Sequence, residues 1–551
     1  MSGKPNAGAK PEESSRAPTN LSWTISAILV SFLVSGWFFD AYHMLLSREN
    51  YLLCSSSKNI YTVDNAKPRV ECISIKGSKI VDTGDFDEVI RRRAALSSYL
   101  PHWASNFVGR TANVIQVDPN SVVVPGIADA HAHILQYGFM KELSLTSTNS
   151  IEDIVSLIKE YILSHPEVLN DKSKWIEGMG WDQTKWPIAQ FPTAADLDKD
   201  PLLKGRPISL SRVDVHAKWV SPRVLELIGE LPDDVEGGKI IRDDAGHPTG
   251  IFVDKAMALI PAPQWSEERM SQLFDITMRD ALSHGLTSIH DAMTFPEEIA
   301  FYKKKAEEGK LPNRLYLMGH LQSTEYWGDQ IPHLQSYGKQ GRLTLRSVKL
   351  VTDGALGSWG AALIEPYTDR PDITGLILTP EEKLSKLVHQ FWKDRFQVDV
   401  MTKHGVNVTE WRPRIEHAQI MTIEELQRMG KLGVSPNHVL PIGSDFPVES
   451  IDPLLGFYAA IARLYTDGTS PHGPGGWYPK EKLSRAQALK GMTLDAAYAS
   501  FAEKDIGSLE PGKKSDFVVF DRDIMTIPYA EILKTKVSAT VIDGKVVYGA
   551  L

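Results

Sequence analysis

The sequence predicts an α/β protein in which a (β/α)8 barrel is inserted into a small β-sandwich, behind an N-terminal membrane-spanning segment. Three observations predict this class. Apolar strand-like and helix-like segments alternate through the middle of the 551-residue chain, β-rich segments lie on both sides of that middle, and polar residues gather where its strands end. The length suits one large domain with a smaller companion.

The N-terminus has two parts. Residues 1–20 are polar and rich in Pro, Ser and Gly, which predicts a disordered tail. Residues 21–39 carry no charge, and this run is close to the ~20 residues that cross a bilayer as a helix. We therefore expect a single-pass membrane anchor over residues 21–46, in a protein of the secretory pathway, with a signal peptide as the alternative. In a lumenal chain the sequon at Asn407 could be glycosylated.

Charge and cysteine content exclude some classes of protein. The net charge of -9 is mild and spread along the chain, so we expect no nucleic-acid partner. The two cysteines, Cys54 and Cys72, are too few for a disulfide framework. Both fall in strand-like segments, which favours small buried side chains over a functional pair.

Both ends of the chain after the anchor are β-rich. Residues 50–124 read as a set of short strands, and residues 501–551 do the same, with a hairpin signal at Asp543 and Gly544. We predict that these two parts form one composite β-sandwich. The middle, residues 125–500, is then a single inserted domain.

The sequence of the middle domain predicts a barrel of parallel strands. The candidate strands cover residues 126–134, 286–292, 314–319, 347–353, 396–400, 413–419, 432–436 and 439–446. In such a barrel the catalytic groups come from the C-terminal ends of the strands. A long insertion, residues 134–285, separates the first two strands.

Two histidines lie in the first barrel strand, in "DAHAH". Residues two apart on a strand face the same way, so His131 and His133 point together into the barrel mouth, as two ligands of one metal ion do. His417 and Asp445 each end another predicted strand. The structural alternatives are packed histidines and, for Asp445, a helix N-cap.

Lys349 lies within an apolar strand, where an unpaired ammonium is costly. A carboxylate partner is the usual explanation for such a lysine. The alternative is a lysine carboxylated by CO2, whose carbamate bridges two metal ions.

Six motifs in order resemble a known family. They are "VVPGIADAHAH", "GMGWDQTKWP", "VTDGALGSWGAAL", "RPRIEHAQ", "GSDFPVE" and "AYASFAEKDIGSLEPGKKSDFVVFD". Together they are similar to the metal-dependent amidohydrolase superfamily, and more narrowly to its amidohydrolase 3 (YtcJ-like) branch. The resemblance implies a TIM-like barrel in a β-sandwich, one or two divalent metal ions, usually zinc, and hydrolysis of a non-peptide C–N bond such as an N-acyl or N-formyl amide.

The resemblance also implies roles for individual residues. His131, His133 and His417 match metal-binding histidines, and Asp445 matches an aspartate that binds metal and acts as general base. Lys349 matches the position of a bridging carbamate. Substrate binding is implied for His216, which also helps to stabilise the oxyanion, and for Trp181 and Asp182. A metal ion suits this chemistry because it lowers the pKa of its bound water from 15.7 to about 7.

The sequence departs from the family pattern in two connections. Family members carry a segment like "HAIGDRA", with a metal-binding histidine, after the fifth strand, but here residues 401–413 connect the fifth and sixth strands without it. Only "SPNH" separates the last two strands, which leaves no room for a helix. His404 is a weak substitute ligand. The barrel is therefore expected to be incomplete, and a non-catalytic isoform or pseudoenzyme is the alternative to an active amidohydrolase.

Overall fold

The computed structural model describes residues 50–98, 113–398, 411–434 and 439–551. The predicted tail and membrane anchor, Asn407 and His404 lie outside these residues. Within them, no helix is long and apolar enough to cross a membrane.

The described chain alternates strands and helices. The strands are β1 (Asn50–Cys54), β2 (Ile60–Tyr61), β3 (Arg69–Val70), β4 (Cys72–Lys76), β5 (Lys79–Gly84), β6 (Asn113–Gln116), β7 (Val122–Pro125), β8 (Ile127–Ala132), β9 (Ile176–Trp181), β10 (Ile208–Arg212), β11 (Ala217–Val220), β12 (Gly238–Arg242), β13 (Pro248–Asp254), β14 (Leu286–Thr294), β15 (Arg314–Gly319), β16 (Leu334–Tyr337), β17 (Leu343–Val348), β18 (Gln397–Val398), β19 (Phe517–Phe520), β20 (Val537–Ile542) and β21 (Lys545–Gly549). The helices are α1 (Phe86–Ser98), α2 (Ile134–Glu142), α3 (Ile151–Ser164), α4 (Pro166–Leu169), α5 (Ala194–Asp198), α6 (Pro222–Ile228), α7 (Glu267–Ser283), α8 (Pro296–Glu308), α9 (Glu381–Lys393), α10 (Ile423–Leu432), α11 (Pro453–Ala462), α12 (Arg485–Lys490), α13 (Ala496–Ala499) and α14 (Tyr529–Ile532).

Two sheets pack as a sandwich, one built from N-terminal strands alone and the other from strands of both chain ends. One has the order β5-β4-β1-β6 and the other β21-β20-β19-β7-β2-β3. The antiparallel pairing of β19 with β7 joins a C-terminal strand to an N-terminal one. Alternation along β1 explains the packing, because Tyr51 and Leu53 enter the core between the sheets while Leu52 and Cys54 pack on the opposite side, against α1.

The two cysteines are bonded to each other, which corrects the expectation of two independent side chains. Cys54 and Cys72 are directly opposite in the antiparallel β1–β4 pair, with 4.2 Å between their Cα atoms, and form a disulfide. Both are buried as predicted. The count of two cysteines could not show the pairing, since it depends on the register of two strands.

The middle of the chain forms a parallel sheet that matches the first half of the predicted barrel. Strands β8, β14, β15 and β17 are parallel neighbours, β18 pairs with β17, and β16 adds an antiparallel edge. The predicted first three strands are confirmed. The fourth ends at Val348 rather than residue 353, and only two residues of the fifth are described as strand.

The second half of the barrel differs from the prediction. Residues 413–419 form no strand, so the sixth prediction is wrong. Of the predicted seventh strand, residue 432 ends helix α10 and residues 433–434 are not strand, which contradicts its described part, while residues 435–436 lie outside the described residues. Residues 439–446 run beside β8, with backbone hydrogen bonds from Ala130 to Ile442 and from Asp445 to His131, but only Phe446 forms a strand-like bridge. Because parallel neighbours need a crossover of a dozen residues or more, the two short connections account for the missing strands.

The insertion forms its own sheet. Its order is β12-β13-β11-β10-β9, and it encloses a separate apolar core that includes Trp181 and Trp219. Helix α3 covers this sheet: Ser150 caps its N-terminus, and Ile154, Ile158 and Ile162, one helical turn apart, are its buried residues. The insertion therefore places His216 directly before β11, in a sheet with its own apolar core.

Candidate metal centre

Three predicted ligands converge at the end of β8. One side-chain donor atom from each of His131, His417 and Asp445 lies within 4.8 Å of the other two. His131 is on β8, Asp445 is in the segment beside it, and His417 precedes α10. The backbone φ angles of His417 (65°) and Asp445 (59°) are left-handed, a conformation that non-glycine residues adopt at a cost and that is common at functional sites.

The structure brings the other two predicted metal residues to the same place. The Oδ1 atom of Asp445 lies 3.2 Å from Nε2 of His133 and 3.4 Å from Nε2 of His131. The Nζ atom of Lys349 lies 3.4 Å from the same Nε2 of His131. Among the described residues Lys349 is partly buried and forms no ion pair with a carboxylate within 4.0 Å, so the usual explanation of a lysine in an apolar segment is not found here.

A carboxylate that the sequence did not single out orients His131. Glu416 lies 2.5 Å from Nδ1 of His131, and its other oxygen pairs with Arg414 at 2.6 Å. Burial would raise the pKa of Glu416, but the Arg414 charge, the hydrogen bond with His131 and the Lys349 charge hold it well below its usual range. An ionised Glu416 accepts a hydrogen bond from Nδ1–H, which leaves Nε2 of His131 facing the cluster as a potential ligand atom.

His131 is neutral at physiological pH. Burial and the Lys349 charge lower its pKa to about 4, although Glu416 and Asp445 oppose them. Neutral imidazole is the form that binds a metal ion. Burial would raise the pKa of Asp445, yet the imidazoles of His133, His131 and His417 hold it well below its usual range, so this carboxylate is ionised.

Asp129 joins the two segments that supply these ligands. Its Oδ1 accepts the backbone N–H groups of His131 and Ser444, each at 3.1 Å, and its Oδ2 accepts the Ser444 hydroxyl at 2.6 Å. Burial raises the pKa of Asp129 to about 6, against these hydrogen bonds. The contacts hold residues 443–446 against β8 although no full strand forms there.

The donor set fits a divalent metal ion. Asp445 Oδ1 is buried and accepts no hydrogen bond from the residues that the structure describes, although two imidazole nitrogens are near it. A buried carboxylate oxygen without a donor is costly unless a cation satisfies it. Imidazole nitrogen with carboxylate oxygen is a ligand set that suits zinc.

The three residues predicted to bind substrate lie in or beside the insertion sheet. His216 directly precedes β11, and its Nδ1 is 2.6 Å from Oδ1 of Asp254. Asp182 is partly buried and pairs with Arg212 at 2.6 Å. Trp181 is fully buried, and its indole N–H donates to the Leu210 carbonyl. Packing and this hydrogen bond account for its position, and its contact with substrate stays a prediction.

The sequence did not point to the polar residues that contact the predicted site residues or their partners. These are Asp129, Asp254, His320, Arg414 and Glu416. His320 directly follows β15, and its Nδ1 lies 3.0 Å from the Lys349 carbonyl. Asp129, Arg414 and Glu416 stand within three residues of a predicted ligand in sequence, and that proximity was the available signal.

Comparison with known proteins identifies the class. The family model described as the amidohydrolase family matches residues 120–439 and 436–548. The chain therefore belongs to the amidohydrolase family, and it is a hydrolase by family, as the resemblance predicted. The two matches overlap at residues 436–439, close to the second shortened connection.

The alignments with individual relatives span most of this chain and nearly all of each relative. A Bacillus subtilis (strain 168) protein named "Putative amidohydrolase YtcJ" is 26% identical, over 89% of this chain and 98% of its own. The N-substituted formamide deformylase of Arthrobacter pascens is 23% identical, over 89% and 97%. The crystal structure of an uncharacterised metal-dependent hydrolase from Pyrococcus horikoshii has a TM-score of 0.64 at 23% identity, covering 87% of this chain and 99% of that one, which shows a shared fold.

Proposed function

We propose that this protein hydrolyses carbon–nitrogen bonds of small non-peptide amides, such as N-acyl or N-formyl amides, with zinc as its metal. The convergence of His131, His417 and Asp445, with an unsatisfied buried oxygen among them, is the observation that carries the proposal. The kinship with a protein named as a formamide deformylase supports the amide class.

In this proposal His131, His133, His417 and Asp445 hold the metal, and Lys349 is a candidate carbamate beside them. A bound divalent ion polarises a carbonyl and acidifies water. Asp445, ionised and partly buried, accepts the proton of the attacking water on its carboxylate and delivers it to the leaving nitrogen. His216 donates a hydrogen bond to the carbonyl oxygen as negative charge develops there.

The experiment uses the full-length chain in detergent, supplied with Zn²⁺ and a panel of N-alkyl formamides and N-acetyl amides. We expect release of free amine, and Asp445→Asn should lower kcat by about 100-fold or more because the proton acceptor is lost. Asp467→Asn, at an exposed turn, is the matched control and should retain activity. A zinc-loaded wild type without turnover on any amide would favour the pseudoenzyme instead.

We propose further that residues 21–46 anchor the protein in a membrane of the secretory pathway, with the hydrolase domain in the lumen. The Cys54–Cys72 disulfide supports an oxidising compartment. Membrane fractions should keep the protein after alkaline carbonate washing, and non-reducing mass spectrometry of the cellular protein should recover the Cys54–Cys72 peptide pair. Recovery in the soluble fraction with both thiols free would contradict this location.

A further inference from the structure

We propose that Asp254 is a positioning residue for the hydrolysis: its carboxylate fixes the His216 ring so that Nε2 donates to the carbonyl oxygen of the substrate. This inference rests on the proposed function and deepens it. The chain supplies the pair from two adjacent strands of the insertion, since His216 directly precedes β11 and Asp254 ends β13.

Backbone and side chain both hold the pair together. Oδ1 of Asp254 is 2.6 Å from Nδ1 of His216, and the Asp254 backbone N–H donates to the His216 carbonyl at 3.0 Å. The Asp254 side chain is 2% exposed, whereas that of His216 is 30% exposed. Because the buried carboxylate occupies Nδ1, Nε2 is the ring nitrogen left to donate to a substrate.

The second oxygen of Asp254 faces the turn that follows Lys349. Oδ2 is buried and accepts no hydrogen bond from the described part of the chain. It lies against the turn that follows Lys349, where a Cβ added at Gly354 or Gly360 would come within 3.0 or 3.3 Å of it. Two glycines therefore leave room for this carboxylate. Asp254 also has a left-handed φ of 50°, a strained conformation for a non-glycine residue.

The charges around His216 favour a donor at Nε2. Burial and the Lys349 charge lower its pKa, but the hydrogen bond to Asp254 and the charges of Asp214 and Asp254 outweigh them, so the pKa is raised. The Asp214 carboxylate accepts the backbone N–H of His216 at 3.2 Å and pairs with Arg212. The imidazolium, with hydrogens on both nitrogens, therefore persists to higher pH than in a free histidine.

The first test measures the ring itself and needs no substrate. In the full-length protein labelled with ¹⁵N-histidine, His216 is assigned by the signal lost in His216→Asn, and its two nitrogens are titrated. Wild type should show Nδ1–H as the neutral tautomer. Asp254→Asn should lower the His216 pKa by about one unit or more, because a neutral amide replaces the anion. Asp243→Asn, which alters the exposed pair with His247, should leave His216 unchanged.

The second test measures coupling in the zinc-loaded enzyme with an N-alkyl formamide. Asp254→Asn should lower kcat/KM at least about tenfold, mainly through kcat, and move the basic limb of the pH profile to lower pH. In the His216→Asn background the same change should have less than about a twofold effect, since Asp254 acts through His216.

Separate outcomes overturn the two proposals. A neutral Nε2–H tautomer in the wild type, an unshifted His216 pKa in Asp254→Asn, or additive losses in the double variant would overturn the role of Asp254. If Asp254→Asn fails to fold, the tautomer of His216 in the wild type still tests the role of Asp254. If the ring behaves as expected while the wild type hydrolyses no amide, the pair stands and the proposed amide reaction fails.

Discussion

Glu416 is the residue that most directly prepares His131 for a metal ion. Its carboxylate accepts a hydrogen bond from Nδ1–H of His131 at 2.5 Å, and Arg414 keeps that carboxylate charged. Loss of such a partner typically weakens metal binding by 10- to 100-fold. The histidine motif alone could not predict this, because Glu416 approaches from a segment 285 positions away in sequence.

We therefore predict that Glu416→Gln lowers zinc affinity by about 10- to 100-fold, because a neutral amide is a weaker acceptor for the Nδ1 proton. Competition of the full-length protein with a zinc chelator measures this. Glu382→Gln, in the exposed first turn of α9, is the control and should bind zinc like the wild type. Equal affinities in all three proteins would show that Glu416 has no part in the centre.

At the scale of elements, strand β8 supplies the first ligand of the site and could be predicted from the sequence. The conformation of residues 439–446, which lie beside it, could not. A β-branched run with two histidines in alternate positions specifies a strand and a shared face. Residues 439–446 have an equally apolar sequence but form no full strand, since a neighbour on their other side requires the connection that this chain lacks. The local sequence pattern predicts a strand, but the lengths of the connections determine whether a neighbouring strand can pair with it.

Helix α8 carries a buried acid in its first turn that has a measurable consequence. Glu298 accepts the Phe295 backbone N–H at 2.9 Å, and burial together with the Asp291 and Glu297 charges raises its pKa to about 8. The folded protein keeps this proton up to about pH 8, whereas the unfolded chain releases it near pH 4.5. Stability is therefore lost as the pH rises between those two values.

Glu298→Gln should remove that loss. We predict that the variant has the higher free energy of unfolding at pH 8, by about 2 kcal/mol or more, and that the difference shrinks towards pH 5. Chemical denaturation at both pH values measures it. Glu268→Gln, exposed in the first turn of α7, is the control and should show no such gain. A pH-independent difference for Glu298→Gln would contradict the raised pKa.

At the scale of the whole molecule, a buried ion network locks the sandwich to the sheet of the barrel. Arg314 at the start of β15 pairs with Asp516 at 2.7 Å and with Asp543 at 2.8 Å, and Arg342 also reaches Asp543. Burial would raise the pKa of Asp543, but Arg314, Arg342 and Lys514 lower it well below its usual range. The sequence indicated a hairpin at Asp543, yet this second role depends on strands distant in sequence.

Asp543→Asn should lower the free energy of unfolding at pH 7 by about 3 kcal/mol, because Arg314 and Arg342 lose a buried partner. The folded-state pKa is depressed, so the wild-type advantage is present above pH 3.8 and is lost as the pH falls further. Denaturant titrations at several pH values test this. Asp372→Asn breaks an exposed pair with Arg370 and should leave stability nearly unchanged. A loss for Asp543→Asn that did not exceed this control would contradict the network.

The most direct test of the account is the zinc content of the purified full-length protein after dialysis against trace Zn²⁺. We expect about one ion or more per chain in the wild type, and a large loss when His131 and Asp445 are both replaced by alanine. The same loss should not follow replacement of the exposed His247 and Asp243. A wild type that retains less than about a tenth of an ion per chain would contradict a metal centre at the end of β8.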